Sequence, residues 1–553
     1  MKRNNLILSL LLVVAVLVSA CAPAATPVPA TAAPAAATAA PAATQAPAPT
    51  AAPTEVPTAV PPLVLNVAST AAFETFDPIA SFSVEAAYIP NLYEGLLRVN
   101  PPGSKEKYKP LLAKSWEASA DSLTWTFHLR EGVKFHDGEA MNALAVKKSI
   151  EAAKDHGGAG FIWAAVDSIE AVDDLTVVFH LKYAVALELL VGSTYAAWIV
   201  SPKALDAFAA DKTYWDKGVE AGTGPYKLES YTPDAEIVFA ANPDYWGGWS
   251  AGQYDKVVVK IVPEATTQQQ MLEGGEADLV CPCLPVESLP ALEANSNFNI
   301  VKEPSFFNYM AWFNTLRPPL NNVKVRQALS YAIPYQDIIK IAVGGDGTQS
   351  RGPVPTGVFP WSADVKQYSY DLEKAKSLLE EAGHKGGGFK MKLVYTASNP
   401  SEALFAPLIK DSFAQIGVDV TIEPLKLGEQ LALGRKGKDG VDMSLMLYWP
   451  TYADAGVDNL WSLFYFTAKP SWNLSYWNNP DYQKLIDAAT TSDQVTAQPK
   501  YTEAMNILVD EAPGVFFYEP LNIFVTSKSV AGFKYNVNYP FTYYFFYDLS
   551  SAK

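Results

Sequence analysis

One segment of this 553-residue chain cannot contribute to a folded core. The 41 residues at positions 22–62 comprise 18 Ala, 11 Pro and 7 Thr, with Glu55 as the single charged residue. Proline removes backbone donors and interrupts helices, and the segment lacks the large apolar side chains that a core requires. We therefore predict an extended tether over residues 21–62. At a polyproline rise of about 3.1 Å per residue, its upper reach is about 130 Å.

The residues before this tether have the pattern of an export signal. Lys2 and Arg3 precede an apolar run at positions 6–17, and small residues then lead to Cys21. A charged start, a short apolar run and small residues at a cleavage point are typical of secretory signal peptides. The run is also shorter than the stretch of about 20 residues that spans a bilayer. We predict that residues 1–20 form a signal peptide.

The sequence around Cys21 leads to a second prediction. Val18-Ser19-Ala20-Cys21 resembles a bacterial lipobox, in which the chain is cleaved before the cysteine and its thiol receives a lipid. We expect Cys21 to be a lipid attachment site that anchors the chain to the outer face of the cell membrane, in the cell envelope. The alternative is an ordinary signal peptide in which Cys21 has no role.

The composition of the whole chain limits the classes of function. Its 58 acidic residues outnumber its 42 Lys and Arg, which gives a formal charge of −16. Nucleic-acid binding requires clustered cations, so we expect no nucleic-acid partner. With only five His and three Cys, the sequence predicts neither a metal site nor a disulfide scaffold. We also expect no cofactor. The abundant aromatic residues and the length from Leu63 onward predict about three domains.

Periodicity in this folded part indicates a mixed α/β architecture. Alternating or β-branched runs predict strands at 176–180, 256–262, 390–396, 418–422 and 441–447. Apolar stripes predict helices at 266–273, 325–333 and 372–382. Asp371 is the expected N-cap of the last of these helices, and Gly383 is the expected residue after its end. Strands separated by helices predict wound α/β units, in which ligands gather at the carboxyl ends of strands.

A search for catalytic motifs is mostly negative. The sequence contains no HExxH, GxSxG or GxxxxGK[ST] motif, and no GxGxxG follows a predicted strand. Cys281-Pro282-Cys283 is unusual. Four interpretations of the two thiols stay open: a disulfide, free thiols without function, a redox-labile pair and metal ligation. His136-Asp137 lies at a predicted turn, so we favour a histidine that bonds its own loop over a general base.

Nine short motifs then follow each other in a fixed order. They are Tyr93-Glu94-Gly95-Leu96-Leu97, Leu112-Ala113-Lys114-Ser115-Trp116, Trp125-Thr126-Phe127-His128-Leu129, Gly222-Thr223-Gly224-Pro225-Tyr226, Asn242-Pro243-Asp244-Tyr245-Trp246, Leu272-Glu273-Gly274-Gly275-Glu276, Trp312-Phe313-Asn314-Thr315, Val323-Lys324-Val325-Arg326-Gln327 and Tyr370-Asp371-Leu372-Glu373. In this order they resemble the family 5 extracellular solute-binding proteins, the receptors of ABC importers for dipeptides, oligopeptides and nickel complexes. The resemblance covers essentially all of residues 63–553. The Cys281-Pro282-Cys283 element departs from the family pattern.

The resemblance implies a type II periplasmic-binding-protein fold with two lobes joined by a hinge, plus an extra domain that contributes little to the cleft. It places lobe I at 63–97, 221–317 and 516–553, the extra domain at 98–220 and lobe III at 318–515. It further implies a monomeric receptor that is not an enzyme. The lobes would close around a small-molecule ligand, and the closed form would dock on the permease subunits of an ABC importer.

The resemblance also implies a ligand site in lobe III. In the peptide receptors of this family, an aspartate after a strand pairs with the ligand α-ammonium group. Here the corresponding loop follows Trp449. Counting forward from Trp449 places the anchor at Tyr452, and counting back from Asp458-Asn459 places it at Ala453. A one-residue insertion in the loop would place the anchor at Asp454. The functional interpretation of Asp454 is an ammonium anchor, and the alternative is a solvated loop residue. The complete predicted set of ligand-binding residues is Phe307, Asn308, Trp449, Tyr452, Asp454 and Tyr518.

Aromatic residues in the same region support a second ligand class. Some family members bind oligosaccharides by ring stacking. The candidate aromatic residues here are Trp449, Tyr452, Trp461, Tyr465, Trp472, Tyr476 and Trp477. The alternative is that most of these aromatic residues belong to the core, and we favour this alternative for Trp461 and Trp477. An exported hydrolase that uses Asp454 with a second acid is the remaining alternative. The ligand is therefore an oligopeptide or an oligosaccharide, with a nickel complex as the weakest option.

Overall fold

The computed structural model describes residues 61–70, 75–81, 84–156, 158–468 and 472–552. The predicted signal peptide, the predicted lipid site at Cys21 and nearly all of the predicted tether lie outside the described residues. Within the described ranges, no helix combines the length and the apolar composition that a membrane span requires. The folded part is mixed α/β, as the periodicity predicts.

One large sheet runs through the folded part and contains two groups of strands. They share the strand Gly514–Ser527, here called the connecting strand. Its first residues pair antiparallel with Asn308–Phe313, and its last residues pair with Phe298–Pro304 and Leu279–Val280. In spatial order the sheet contains Val418–Leu425, Phe389–Thr396, Met443–Tyr448, Asn308–Phe313, the connecting strand, Leu279–Val280, Val64–Ser69, Lys256–Ile261, Glu236–Ala241 and Tyr226–Thr232.

The strand predicted at 256–262 illustrates why the sheet of the predicted lobe I forms. Lys256–Ile261 pairs in parallel with Val64–Ser69 and antiparallel with Glu236–Ala241, so it is a central strand. Val257 and Val259 are fully buried on one face of this strand. β-Branched side chains fit such a doubly paired, half-buried position. The helix Ala265–Gly274 follows and ends at Gly275, whose φ of 76° is the left-handed conformation that glycine favours.

The lobe III side forms as its helical stripes predict. The helix Val323–Tyr331 buries Val325, Ala328 and Leu329 against the sheet. The helix Leu372–Glu381 begins at Asp371, whose carboxylate accepts a hydrogen bond from the Lys374 amide at 2.8 Å. This contact confirms the predicted N-cap.

A separate antiparallel sheet occupies the middle of the predicted extra domain. Its order is Ala113–Ala118, Thr124–Leu129, Thr176–Leu181 and Val166–Asp173. Alternate residues of the two central strands are buried, and the Phe127 and Phe179 rings meet edge to face at 5.6 Å. Two short pairs complete the strands described here, Leu97–Val99 with Tyr108–Pro110 and Val530–Ala531 with Ser550–Ser551, while Gly347–Thr348 pairs with the connecting strand.

Helices alternate with these strands along the chain. The α-helices are Ile89–Leu92, Ala143–His156, Leu187–Val191, Pro202–Ala210, Ala265–Gly274, Leu289–Ala294, Val323–Tyr331, Tyr335–Val343, Leu372–Glu381, Pro400–Ala414, Leu427–Gly434, Pro480–Thr490 and Gln494–Glu511, and Gly456–Ser462 is a π-helix.

The chain crosses between the two strand groups near residues 304–308 and 518–521. Asn308–Phe313 pairs with Met443–Tyr448 of the lobe III side, although the predicted boundary assigns positions 308–313 to lobe I. The connecting strand likewise pairs with both groups. Both crossings lie within about ten residues of the predicted boundaries. The domain boundaries themselves stay predictions.

Three of the sequence motifs converge on one buried carboxylate, Glu94. It accepts hydrogen bonds from Thr223 Oγ1 at 3.0 Å, Tyr245 Oη at 2.9 Å and Trp246 Nε1 at 2.8 Å. Only 3% of Glu94 is exposed, and this burial raises the pKa of its carboxyl. The backbone approaches closely beside it, because a Cβ atom on Gly222 would lie 2.0 Å from the Leu92 carbonyl oxygen. These motifs therefore encode a packed junction.

His136 takes part in a junction of the same kind. Its Nδ1 lies 2.7 Å from the Glu220 carboxylate, and its Nε2 lies 2.9 Å from the Gly224 carbonyl oxygen. The expectation that this histidine bonds its own loop is therefore wrong. The turn does form, with Gly138 at a φ of 92°. The His136 side chain, however, points across to a segment more than 80 residues away.

The two remaining cysteines form a disulfide. Cys281 and Cys283 are bonded to each other at the end of Leu279–Val280. Cys281 is buried and Cys283 is exposed. Among the described residues, no cluster of three or more His, Cys, Asp or Glu side chains could hold a metal ion.

Candidate functional site

A cavity of about 370 Å³ contains two of the predicted ligand residues, Tyr452 and Asp454. One wall comes from the predicted extra domain and includes Trp125 and the segment 184–190. The other comes from the predicted lobe III and includes Phe359 and Tyr501. A volume of this size is near the lower end of the range of about 300–1,000 Å³ that is typical of small-molecule sites.

The loop that carries Asp454 is held by backbone pairing with a distant segment. Phe359 and Asp454 form a parallel bridge, and the Ala455 amide donates to the Phe359 carbonyl at 2.7 Å. The next residue, Gly456, contacts Tyr501 so closely that a Cβ atom would lie 2.6 Å from its ring. The position of Asp454 is therefore fixed by segments that are remote in sequence.

A second aspartate stabilises the start of the same loop. Asp458 is fully buried and accepts hydrogen bonds from Tyr448 Oη at 2.7 Å and from the Thr451 amide. Burial raises the pKa of Asp458. Since both of its carboxylate oxygens are engaged inside the protein, Asp458 positions residues 448–458.

Asp454 itself has few partners. Its Oδ1 accepts a hydrogen bond from the Gly456 amide at 2.9 Å. Burial raises the pKa of this carboxyl to about 6, while the Gly456 amide, Gln494 and the more distant Lys107 lower it by less. No cation of the described chain lies within ion-pair distance of Asp454. A half-buried carboxylate in this setting is suited to a cationic ligand group.

Trp449 and Phe307 lie outside the cavity wall, in an aromatic cluster with Phe541. The Trp449 and Phe541 rings meet edge to face at 4.7 Å, and the Phe307 ring lies 5.3 Å from that of Phe541. Trp449 belongs to the predicted lobe III and Phe541 to the predicted lobe I. The cluster therefore joins segments of the two predicted lobes.

Asn308 and Tyr518 are buried near the crossing points. The side-chain Nδ2 of Asn308 donates a hydrogen bond to the Gly352 carbonyl oxygen at 2.7 Å, and its Oδ1 accepts one from Ser350 Oγ at 3.0 Å. The Tyr518 ring stacks on Tyr309 at 4.7 Å. Neither residue lines the cavity, and a ligand role for each stays a prediction.

Of the seven aromatic residues considered for ring stacking, Tyr452 alone lines this cavity among the residues that the structure describes. Trp477 is buried, as the core alternative predicts. Trp461 is 41% exposed with its ring stacked on Tyr465, so the expectation that it belongs to the core is wrong. Sequence reasoning missed Trp125, Phe359 and Tyr501, which lie far apart along the chain. Their shared position depends on the tertiary fold, and no local pattern indicates it.

Comparisons with known proteins match this architecture. The sequence model described as bacterial extracellular solute-binding proteins, family 5 Middle, matches residues 107–470. The glutathione-binding protein GsiB of Pectobacterium atrosepticum is 30% identical over 482 residues, which cover 85% of this chain and 91% of that protein. The probable D,D-dipeptide-binding periplasmic protein DdpA of Escherichia coli is 30% identical over 429 residues, which cover 77% and 82%.

A solved structure supports the same assignment. The ABC transporter-associated periplasmic binding protein DppA of Helicobacter pylori, in complex with the peptide STSA, has a TM-score of 0.75 at 28% identity, and the match covers 89% of this chain and 99% of that chain. The fold is therefore the type II periplasmic-binding-protein fold that the sequence predicts. Since the family model spans residues 107–470 and the relatives match most of the chain, this protein belongs to the bacterial extracellular solute-binding proteins of family 5, which are binding proteins of ABC importers and not enzymes.

Proposed function

We propose that this protein captures a short peptide by hinge closure and delivers it to the permease subunits of an ABC importer. The observation that carries the proposal is the Asp454 carboxylate, which lies on the cavity wall beside Tyr452 and has no cation of the described chain within ion-pair distance. A peptide α-ammonium group would supply the missing positive charge. The relatives whose names refer to glutathione or a dipeptide support the same ligand class.

The contacts between the predicted lobes and the extra domain support closure as the capture step. Trp449 contacts Phe541 across the lobes, and Ser193 Oγ donates to the Thr451 carbonyl at 3.3 Å across the edge of the extra domain. Hinge opening would separate such contacts, and a ligand held by both sides would stabilise the closed form. The crossings near 304–308 and 518–521 are suited to act as the hinge.

The cellular setting follows from the sequence. A lipid on Cys21 would hold the monomeric receptor on the outer face of the membrane, and the tether at 21–62 would separate it from the bilayer. Replacement of Cys21 by Ser should release the protein from the membrane fraction. Retention of the variant there would contradict lipid anchoring.

Peptide binding can be tested by thermal shift and calorimetry with Ala-Ala, Ala-Ala-Ala, N-acetyl-Ala-Ala and maltotriose. A bound peptide at 100 times its dissociation constant should stabilise the protein by about 2.7 kcal/mol. The acetylated peptide should give a much smaller shift, because it lacks the ammonium group. Asp454→Asn should weaken binding of the free peptides at least about tenfold, whereas the exposed Asp481→Asn should not.

The results separate the alternatives. If the protein binds maltotriose but none of the peptides, its ligand is an oligosaccharide and the peptide proposal is wrong. Equal binding of acetylated and free peptides, or unchanged affinity in Asp454→Asn, would contradict the ammonium anchor.

A further inference from the structure

The Cys281–Cys283 disulfide has no part in the proposed function and departs from the family pattern. Its two cysteines are only two positions apart in the sequence. A disulfide stabilises a fold mainly by restricting the unfolded chain, and this effect is smallest for the shortest loops. The fold and the bond stabilise each other to the same extent, so this bond also gains little stability from the fold. It is therefore poorly suited to act as a structural cross-link.

The two cysteines differ in their access to solvent. Cys283 is exposed, whereas only 3% of Cys281 is exposed. Thiol–disulfide exchange depends on which sulfur an incoming thiolate can reach, and exposed disulfides are more labile than enclosed ones. An external thiolate can therefore attack Cys283, and the sulfur of Cys281 is then the leaving group.

The backbone around Cys281 is held by contacts that do not depend on the disulfide. The Cys281 amide donates to the Ala68 carbonyl oxygen and to Gln268 Oε1, at 3.2 Å from each. Immediately before it, the Val280 carbonyl oxygen accepts a hydrogen bond from Tyr544 Oη. Opening of the disulfide would therefore free the Cys281 thiol while the end of the strand keeps its place in the sheet.

The segment that carries Cys283 leads from the sheet of the predicted lobe I to a contact with the predicted lobe III. The preceding strand, Leu279–Val280, runs antiparallel to the connecting strand and hence towards the crossing near 518–521. Val286, three residues after Cys283, packs against Gly344, because a Cβ atom on Gly344 would lie 2.3 Å from Val286 Cγ1. A group attached to Cys283 would therefore be added to a segment that links the two predicted lobes.

We propose that the Cys281–Cys283 disulfide is a thiol-exchange site, at which a thiol of low molecular mass becomes covalently bound to Cys283. The incoming thiol loses its proton and attacks Cys283 Sγ, so that a new S–S bond forms there while the Cys281–Cys283 bond breaks. Cys281 Sγ leaves with the electron pair of the broken bond and takes up a proton. One disulfide replaces another, so the step needs no further oxidant or reductant. The inference does not depend on peptide capture.

Incubation of the wild-type protein with an excess of Cys-Gly or of 2-mercaptoethanol tests the inference. After acid quenching, peptide mapping by mass spectrometry without reduction should find the added thiol on Cys283 and a free thiol on Cys281. The thermal unfolding midpoint of the modified protein should be unchanged, because the disulfide is not a structural cross-link. A faster reaction of Cys-Gly at equal thiolate concentration would make cysteine-containing peptides the preferred thiol. A reaction that is no faster would extend the site to small thiols in general.

Two single variants test which sulfur is attacked. Cys281→Ser keeps the exposed Cys283 thiol, and Cys283→Ser keeps the buried Cys281 thiol. With oxidised 2-mercaptoethanol, Cys281→Ser should form its mixed disulfide at least about tenfold faster than Cys283→Ser, because reactivity requires access to the thiolate. If either variant fails to fold, the wild-type experiment decides.

Several outcomes would overturn the inference. They are a Cys281–Cys283 bond that stays intact in excess thiol, an adduct on Cys281 in place of Cys283, and equal rates in the two single variants. A large fall in the unfolding midpoint of the modified protein would show that the bond is a structural cross-link, and it would overturn the inference as well. None of these outcomes bears on peptide capture, which is tested separately by the binding of Ala-Ala.

Discussion

Glu94 and Asp454 are both removed from much of the solvent, but their surroundings differ in kind. Glu94 accepts three side-chain hydrogen bonds from residues of two other sequence motifs. Asp454 accepts the Gly456 amide and a side-chain hydrogen bond from Gln494, and it lies on a cavity wall. Burial raises the pKa of both carboxyls. A carboxylate that is enclosed by buried side-chain donors holds the fold together, whereas one that borders a cavity leaves room for a ligand group.

The largest expected effect is on Glu94. Glu94→Ala should lower the free energy of unfolding by about 3–5 kcal/mol, because it leaves Thr223, Tyr245 and Trp246 with buried donors that have no acceptor. Denaturant unfolding measures this change. The exposed Glu373, which pairs with Lys376 on a helix surface and with no other cation of the described residues, provides the control, and Glu373→Ala should change the stability very little. A small change in the free energy of unfolding in Glu94→Ala would show that water replaces the lost acceptor, and it would contradict the contrast between Glu94 and Asp454.

The close backbone packing beside Glu94 should be the next most sensitive feature. Gly222→Ala would place a Cβ atom 2.0 Å from the Leu92 carbonyl oxygen, so we expect a loss of about 2–3 kcal/mol in the free energy of unfolding. Gly274→Ala is the matched control, because nothing lies within 4 Å of its added Cβ atom and the residue is helical. Equal stability of both variants would mean that the 92–93 segment moves aside easily.

Removal of the Asp454 charge should stabilise the unliganded protein, whereas removal of Glu94 should destabilise it. Its pKa of about 6 lies above the ordinary value of 3.8, so the folded chain binds a proton more tightly than the unfolded chain. The contribution of Asp454 to the stability of the unliganded protein should therefore fall as the pH rises from about 4 to about 6 and should then level off. Asp454→Asn should remove that fall and raise the stability at neutral pH by about 2 kcal/mol, after allowance for solvent screening.

The same variant connects stability to binding. Peptide affinity of the wild-type protein should decrease as the pH is lowered through about 6, since protonation removes the negative charge of Asp454. The Asn variant should lack this pH dependence. Thermal unfolding and calorimetry across this pH range provide the measurements. If the stabilities of the wild-type protein and of Asp454→Asn depended on pH in the same way between about 4 and 6, Asp454 would lie in a solvated setting.

The extent to which sequence predicts structure differs between these two sites. Local patterns predicted the strand Lys256–Ile261 and the Asp371 N-cap, because period and capping chemistry depend on neighbouring residues. The ordered motifs predicted the family and the fold, and three of them meet at the packed junction around Glu94. Tyr452 and Asp454 were predicted from their position after Trp449, and both line the cavity.

The remainder of the site could not be predicted for a physical reason. Phe359 reaches Asp454 through a bridge that joins positions 95 residues apart, and Trp125 comes from another sheet. The side-chain partners of Asn308 at Ser350 and Gly352 are likewise non-local. The hydrogen-bond partner of His136 could not be predicted for the same reason. Neighbouring residues determine the turn that contains His136, whereas Glu220 lies 84 residues further along the chain.

The connecting strand has a consequence for how the protein is made. Residues 514–527 complete both groups of the large sheet, yet they follow all of their partner strands in the chain. Two edges of the sheet must remain unpaired until this strand has been synthesised, and such edges are prone to aggregation. A chain that stops at Ala512 would lack the shared strand of both groups. We therefore expect productive folding of the large sheet to begin only after the connecting strand has been synthesised.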